Sequence, residues 1–169
     1  MSKNKNLVIW IAVTAVFLIA LAWYTKSGSS APSGTSAASS GAVGELKAAE
    51  TSYDFGSVSM AAGKVSHTFQ LKNESKDPVT ITKLYTSCMC TTTSLKNGGS
   101  DLGPFGMAGM GYIPSLDEKV NPGGEVEVEA TFDPAAHGPA GVGNIERVVT
   151  VEQSGSAPIE LHFKAVVTP

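Results

Sequence analysis

The chain has 169 residues, 18 of them glycine, and a formal net charge of −3. The charge is unevenly distributed: residues 1–44 contain three lysines and no acidic residue, whereas the remainder contains nine basic and fifteen acidic residues. An acidic globular region lacks the basic surface through which proteins bind nucleic acid. Nucleic-acid binding is therefore excluded from the expected functions.

The N-terminal region contains a candidate membrane anchor. Residues 7–24 (LVIWIAVTAVFLIALAWY) carry no charge, and a helix of that length spans roughly 27 Å, close to the hydrocarbon core of a bilayer. Lys3 and Lys5 precede the anchor, so the positive-inside rule predicts a cytoplasmic segment 1–6 and an extracytoplasmic domain. The alternative is a cleaved signal peptide, because Ala20-Leu21-Ala22 resembles a cleavage site. Both interpretations place the rest of the chain outside the cytoplasm.

The next segment, residues 25–44, consists almost entirely of Ser, Gly, Ala and Thr. A segment of this composition has little apolar surface to bury, so we expect a flexible linker. Its typical reach is about 25 Å. Residues 45–169 then have the size of a single domain.

That domain shows the two-residue period of β-strands. Residues 125–132 alternate Glu with apolar residues, residues 65–72 alternate in the same way, and residues 158–167 form a long apolar strand near the C-terminus. Two further strands are expected over 51–58 and 144–152. Short strands separated by Gly, Pro and Asn turns predict an all-β fold, an immunoglobulin-like antiparallel β-sandwich of about seven strands.

A set of spaced motifs runs through the domain. The motifs are Phe55-Gly56, Gly63 to Phe69, Asn73, Pro78 to Ile81, Ser87-Cys88-Met89-Cys90-Thr91, Pro122-Gly123-Gly124 and Phe132-Asp133-Pro134. Together they resemble the bacterial DUF1573 family, which is similar to the ASPM–SPD-2–Hydin group of immunoglobulin-like domains. The resemblance implies a sandwich on exported or membrane-anchored proteins and no particular biochemical activity. Met89 occupies a position that is usually glycine in the family.

Cys88 and Cys90, the only cysteines of the chain, follow an apolar run that is typical of a strand. Residues two apart on a strand project from the same face, with Cα atoms near the limit of disulfide geometry, so a disulfide requires a local bend or bulge. A disulfide suits an oxidising compartment. The other states to consider are a buried reduced pair, a copper(I) site and a thiol-redox centre. No Cys-x-x-Cys motif at a helix start indicates thioredoxin-like chemistry.

Residues 94–121 form the second unusual segment, because they are glycine-rich and show no regular period. Such long connections tend to be functional or disordered, and the presence of Phe105 and Tyr112 argues against disorder. We expect the segment to fold over one end of the sandwich, either as an apolar flap or as a partner-binding or ligand-binding loop. Met107 and Met110 could then join Cys88 and Cys90 as soft ligands of copper(I).

No catalytic motif competes with the cysteine pair. His137 lies in a loop without metal-ligating neighbours in sequence, and Arg147 falls on the inward side of its strand, as expected at a sheet end or bulge. We therefore expect a membrane-anchored extracytoplasmic module with a structural or protein-binding role, not an enzyme. The alternative function is an envelope copper(I)-binding or thiol-redox protein that uses Cys88 and Cys90.

Overall fold

The structure, a computed structural model, describes residues 44–169. The predicted cytoplasmic segment 1–6, the anchor 7–24 and nearly all of the linker 25–44 lie outside these residues. Within the part that is described, no helix is long and apolar enough to cross a membrane.

Ten strands form the described domain. They are β1 (Leu46–Ala48), β2 (Ser52–Ser59), β3 (Val65–Asn73), β4 (Val79–Thr86), β5 (Thr91–Asn97), β6 (Ser100–Phe105), β7 (Glu118–Val120), β8 (Glu125–Phe132), β9 (Gly143–Gln153) and β10 (Ile159–Thr168). Two short 3-10 turns, Met60–Ala62 and Gly138–Gly141, complete the secondary structure of residues 44–169.

The strands form two five-stranded sheets, in the orders β1-β3-β8-β5-β6 and β2-β10-β9-β4-β7. The predicted all-β fold is thus confirmed, and the estimate of about seven strands is too low. Three of the additional strands are short or irregular: β1, β6 and β7 have three, six and three residues. The predicted antiparallel arrangement also has an exception, because β2 pairs with β10 in parallel.

The core lies between the sheets, where the two-residue period predicts it. On β8, Val126, Val128, Ala130 and Phe132 are buried. The intervening glutamates face outward, where Glu125 and Glu129 pair with Lys72 and Lys96 on neighbouring strands. On β10 the buried set is Leu161, Phe163, Ala165 and Val167. Burial of these alternating side chains is the dominant favourable contribution to folding of the domain.

The predicted irregular segment 94–121 is more ordered than its sequence indicates. It contains the end of β5, the turn at Gly98-Gly99, and strands β6 and β7. Both turn glycines have positive φ, 56° and 103°, which side-chain-bearing residues rarely adopt. Residues 106–117 are the longest part of this segment outside the strands, and they run beside β4, with Thr86 N donating to Gly106 O and Leu116 N donating to Thr82 O.

The two ends of the sandwich differ. The described chain begins at Gly44 beside the β3–β4 turn, and Ser156 Oγ donates to the Gly44 carbonyl from the β9–β10 turn. Strand β4 runs from this end to Thr86, and its eight residues span roughly 25 Å. Cys88 and Cys90 follow Thr86, so the cysteines and the start of the described chain lie at opposite ends.

Candidate functional site

Cys88 and Cys90 lie in a turn, and the prediction that they continue a strand is wrong. Strand β4 ends at Thr86, and the chain then crosses from one sheet to the other before β5 begins at Thr91. Thr91 N donates to Cys88 O at 3.1 Å, the hydrogen bond that closes a four-residue turn. The turn brings the two Cα atoms to 5.3 Å, and the sulfurs lie at disulfide-bonding distance. The bend required for a disulfide is therefore present.

Neighbouring groups hold this cysteine turn (residues 87–91) in place. Thr86 is fully buried, and its hydroxyl lies 3.0 Å from the carbonyl oxygens of Cys88 and Thr91. Ser87 pairs with Val148 on β9 in both directions, through Ser87 N to Val148 O and Val148 N to Ser87 Oγ, each at 2.9 Å. The turn is thus fixed to the sheet that it leaves.

A second connection between the sheets lies against the cysteine turn. Residues 133–142 link β8 to β9, and Asp133 N donates to Cys90 O at 2.8 Å. Farther along this connection, His137 is exposed, and its Nε2 lies 3.3 Å from Cys88 Sγ. When the two cysteines form a disulfide, the Cys88 sulfur carries no hydrogen and can only accept, and the ring nitrogen is then the donor in this contact.

Arg147 on β9 contacts the other sulfur. Its Nε donates to Cys90 Sγ at 3.2 Å, and its Nη1 donates to the carbonyl oxygen of Glu146 at 2.7 Å. Cys90 is only 2% exposed, whereas Cys88 is partly buried at the edge of the core. Each sulfur therefore contacts a side-chain nitrogen from a different structural element, and Cys88 Sγ also accepts from Cys90 N at 3.3 Å.

His137 is the functional candidate that the sequence analysis missed. It is 49 residues from Cys88 in sequence, and only the adjacency of the two sheet-crossing connections brings it to the sulfur. The position of Arg147 on the inward side of its strand predicts a sheet end or bulge. That position alone does not predict its contact with Cys90. The donor atoms of Cys88, Cys90 and His137 all lie within 4.8 Å of one another.

Met107 and Met110, the other predicted ligands, lie in the connection beside Thr86. Met107 forms an isolated parallel bridge with Thr86, and Ala108 N donates to Thr86 O at 3.2 Å. Met110 is 64% exposed. A contribution of either thioether to metal binding stays a prediction.

The remaining histidines have other contacts. His67 stacks on Tyr53, with ring centroids 3.5 Å apart, and its Nε2 lies 2.7 Å from Glu50 Oε1. His162 lies within ion-pair distance of Glu146 and Glu160 on the outer surface of the sheet.

The first half of the described domain is similar in sequence to a known family. Residues 46–102 match the family model described as "Protein of unknown function (DUF1573)". The resemblance drawn from the spaced motifs is confirmed over these residues. The DUF1573 match includes the cysteine turn but not His137 or Arg147. No curated protein matches the chain significantly.

Solved structures resemble the described domain at low sequence identity. A protein of unknown function from Porphyromonas gingivalis W83 is 13% identical with a TM-score of 0.55, over 73% of this chain and 47% of that protein. A family 123 glycoside hydrolase from Clostridium perfringens is 6% identical with a TM-score of 0.50, over 69% and 22%. The PapD-like domain 7 of human CEP192 is 14% identical with a TM-score of 0.44, over 73% and 84%.

The chain spans less than half of the length of the first two proteins. At these identities the similarity shows the fold alone.

Proposed function

We propose that this protein is a membrane-anchored, extracytoplasmic module that binds another protein through the end of the sandwich that carries the cysteine turn. The single observation that carries the proposal is the distribution of exposed apolar side chains. Met89, Met110, Tyr112 and Val142 are four of the five large hydrophobic residues that are exposed among residues 44–169. Met89 and Val142 lie in the two connections that cross between the sheets, and Met110 and Tyr112 lie in the connection beside β4 whose start is hydrogen-bonded to Thr86.

Their exposure is large. Tyr112 is 88% exposed, Met110 64% and Met89 57%, although Phe105 in the same region is buried in the core. Aromatic residues and methionine are enriched in the centres of protein interfaces, and loops on a rigid sandwich commonly carry binding function. We name these residues (Met89, Met110, Tyr112 and Val142) the apical patch.

Two further observations support the proposed location and orientation. The uncharged segment 7–24 with Lys3 and Lys5 before it supports an anchor and a cytoplasmic N-terminus, and the disulfide-distance cysteines suit an oxidising compartment. The described chain begins at the opposite end from the cysteine turn. Attachment there leaves the apical patch free to meet a protein partner.

Site-specific photo-crosslinking in intact cells tests partner binding. With a photoreactive phenylalanine derivative in place of Tyr112, we expect a discrete protein adduct that Met110→Asp abolishes, because a carboxylate in a desolvated apolar contact is unfavourable. The same derivative at Lys76, an exposed residue in the turn at the opposite end, provides the matched control. Identical adducts from both positions, or none from Tyr112, would contradict the proposal.

A second candidate function, copper(I) binding, is favoured by the position of His137. Two thiolates and an imidazole are suitable soft ligands for Cu(I), and the donor atoms of Cys88, Cys90 and His137 already lie within 4.8 Å. Binding requires the reduced pair. Arg147 beside Cys90 would balance the negative charge of a two-thiolate copper(I) site.

Titration of the reduced protein with Cu(I) against a competing chelator tests this function. We expect His137→Gln to weaken binding and the double substitution of Cys88 and Cys90 by Ser to abolish it, with Lys76→Gln as a control. Weaker binding by Met107→Leu or Met110→Leu would identify a thioether ligand. Affinity for Cu(I) no higher than that of the double-Ser variant would eliminate copper binding.

A further inference from the structure

We propose that the Cys88–Cys90 disulfide oxidises protein dithiols by thiol–disulfide exchange, in which Cys88 is the sulfur attacked and Cys90 is the sulfur that leaves. This activity does not depend on the apical patch or on copper. It follows from the different surroundings of the two sulfurs.

The two sulfurs differ first in how accessible they are to an incoming thiolate. Thiol–disulfide exchange requires a thiolate to approach one sulfur of the disulfide. Cys90 is 2% exposed and packs in the core, whereas Cys88 lies at the core margin next to the exposed His137 and Met89. Cys88 is therefore the less buried of the two cysteines and the one nearer the surface, and Cys90 is shielded by the surrounding protein.

The hydrogen bond from Arg147 to Cys90 also favours attack at Cys88 and departure of Cys90. In the exchange step the electron pair of the broken S–S bond passes to the departing sulfur, and a better stabilised thiolate leaves faster. Arg147 Nε is 3.2 Å from Cys90 Sγ, and the guanidinium keeps its charge at all physiological pH values. A hydrogen bond from a cation to a thiolate is stronger than one between neutral groups. Arg147 is thus a positioning residue that stabilises the departing Cys90 sulfur.

His137 serves the second half of the reaction. After the first step the partner is linked to Cys88 through a mixed disulfide. The second thiolate of the partner then attacks its own sulfur in that bond, and Cys88 departs with the electron pair. The imidazole Nε2, 3.3 Å from Cys88 Sγ, is placed to donate a hydrogen bond or proton to it.

The reaction is balanced without an external cofactor. Two electrons pass from the partner dithiol to the Cys88–Cys90 disulfide, one S–S bond forms in the partner, and one breaks in this protein. The two protons released by the partner thiols end on Cys88 and Cys90.

A purely structural role explains less of this arrangement. Constraint of the unfolded chain by a disulfide grows with the length of the loop that it closes, and this pair encloses a single residue, Met89. Stabilisation by that mechanism is small compared with a long-range disulfide. The two donors aimed at the sulfurs have no evident role in such a constraint, whereas both have a role in exchange.

Equilibration of the full-length protein in glutathione redox buffers tests the role of Arg147. Removing the cation destabilises the reduced form, so we expect Arg147→Gln to favour the disulfide by about tenfold, a shift of about −30 mV in reduction potential. Arg147→Lys should retain part of the effect, and Lys76→Gln should behave as the unmodified protein. Circular dichroism verifies that each variant is folded. An unchanged equilibrium for folded Arg147→Gln would overturn the role of Arg147.

The direction of exchange is tested with single-cysteine variants and oxidised glutathione. Cys90→Ser leaves Cys88 as the only thiol, and we expect it to form the glutathione mixed disulfide at least about tenfold faster than the reciprocal Cys88→Ser variant, because Cys88 is the less buried of the two cysteines. Mass spectrometry measures both rates. Equal rates, or a faster reaction at Cys90, would overturn the assignment of Cys88 as the attacked sulfur. Failure of crosslinking at Tyr112 would affect neither result.

Discussion

Replacing Phe163 by alanine should lower the free energy of unfolding by about 3–5 kcal/mol, the cost of removing a phenyl ring from a close-packed core. Phe163 is 0% exposed and lies between the sheets on β10, with its ring centroid 5.4 Å from that of Phe55 and 5.7 Å from that of Phe132. Removing this ring deprives two other aromatic side chains of a contact. Because protein interiors are close-packed, the surrounding side chains fill such a cavity only in part.

Urea unfolding followed by the β-sheet signal in circular dichroism measures this loss. The midpoint should fall, while the dependence of the unfolding free energy on urea should remain unchanged if the same surface is exposed. Phe163→Leu, which retains most of the apolar volume, and Lys164→Ala on the outward side of β10 are the matched controls. A loss below about 1 kcal/mol for Phe163→Ala is typical of surface sites and would contradict the central position of the ring.

Replacing Asn73 by alanine should cost about 2–4 kcal/mol, because buried backbone groups lose their partners. Asn73 is 0% exposed at the end of β3. Its Nδ2 donates to the carbonyl oxygens of Asp77 and Val120, each at 2.9 Å, and its Oδ1 accepts from Ser75 N at 3.0 Å. One side chain thus joins the β3–β4 turn to β7.

Asn97→Ala is the matched control for Asn73. The Asn97 amide also reaches the strand β7, through Lys119 O at 3.0 Å and Glu118 Oε1 at 2.7 Å, but it is only partly buried. Water can replace these hydrogen bonds, so we expect a loss of about 1 kcal/mol or less. Equal unfolding free energies for the two variants would show that the Asn73 network contributes nothing beyond a surface hydrogen bond.

The strands with a clear period could be predicted from the sequence, because burial on one face imposes the alternation. Residues 125–132 and 158–167 specify which side chains point inward, and the structure confirms both sets except for Ile159, which is only partly buried at the start of β10. The strand partners could not be predicted in the same way. Nothing in the period of residues 51–58 or 158–167 indicates that these two strands lie parallel and adjacent.

The candidate site was only partly predictable, because its contacts also depend on which distant segments lie next to each other. The cysteine spacing is visible in the sequence, but the change from strand to turn at Ser87 carries no Gly, Pro or Asn signal. Whether the pair lies on a strand or in a turn depends on the crossing between the sheets. The contacts of His137 and Arg147 also depend on that crossing, because they join segments far apart in sequence.

The position of β10 has a consequence for biosynthesis. This strand comes last among the described residues, yet it lies inside its sheet, between β2 and β9. A nascent chain therefore cannot complete this sheet until residues 159–168 have left the ribosome. Until then, the hydrogen-bonding edges of β2 and β9 that pair with β10 remain unpaired and accessible to holding chaperones, and this sheet stays incomplete during synthesis.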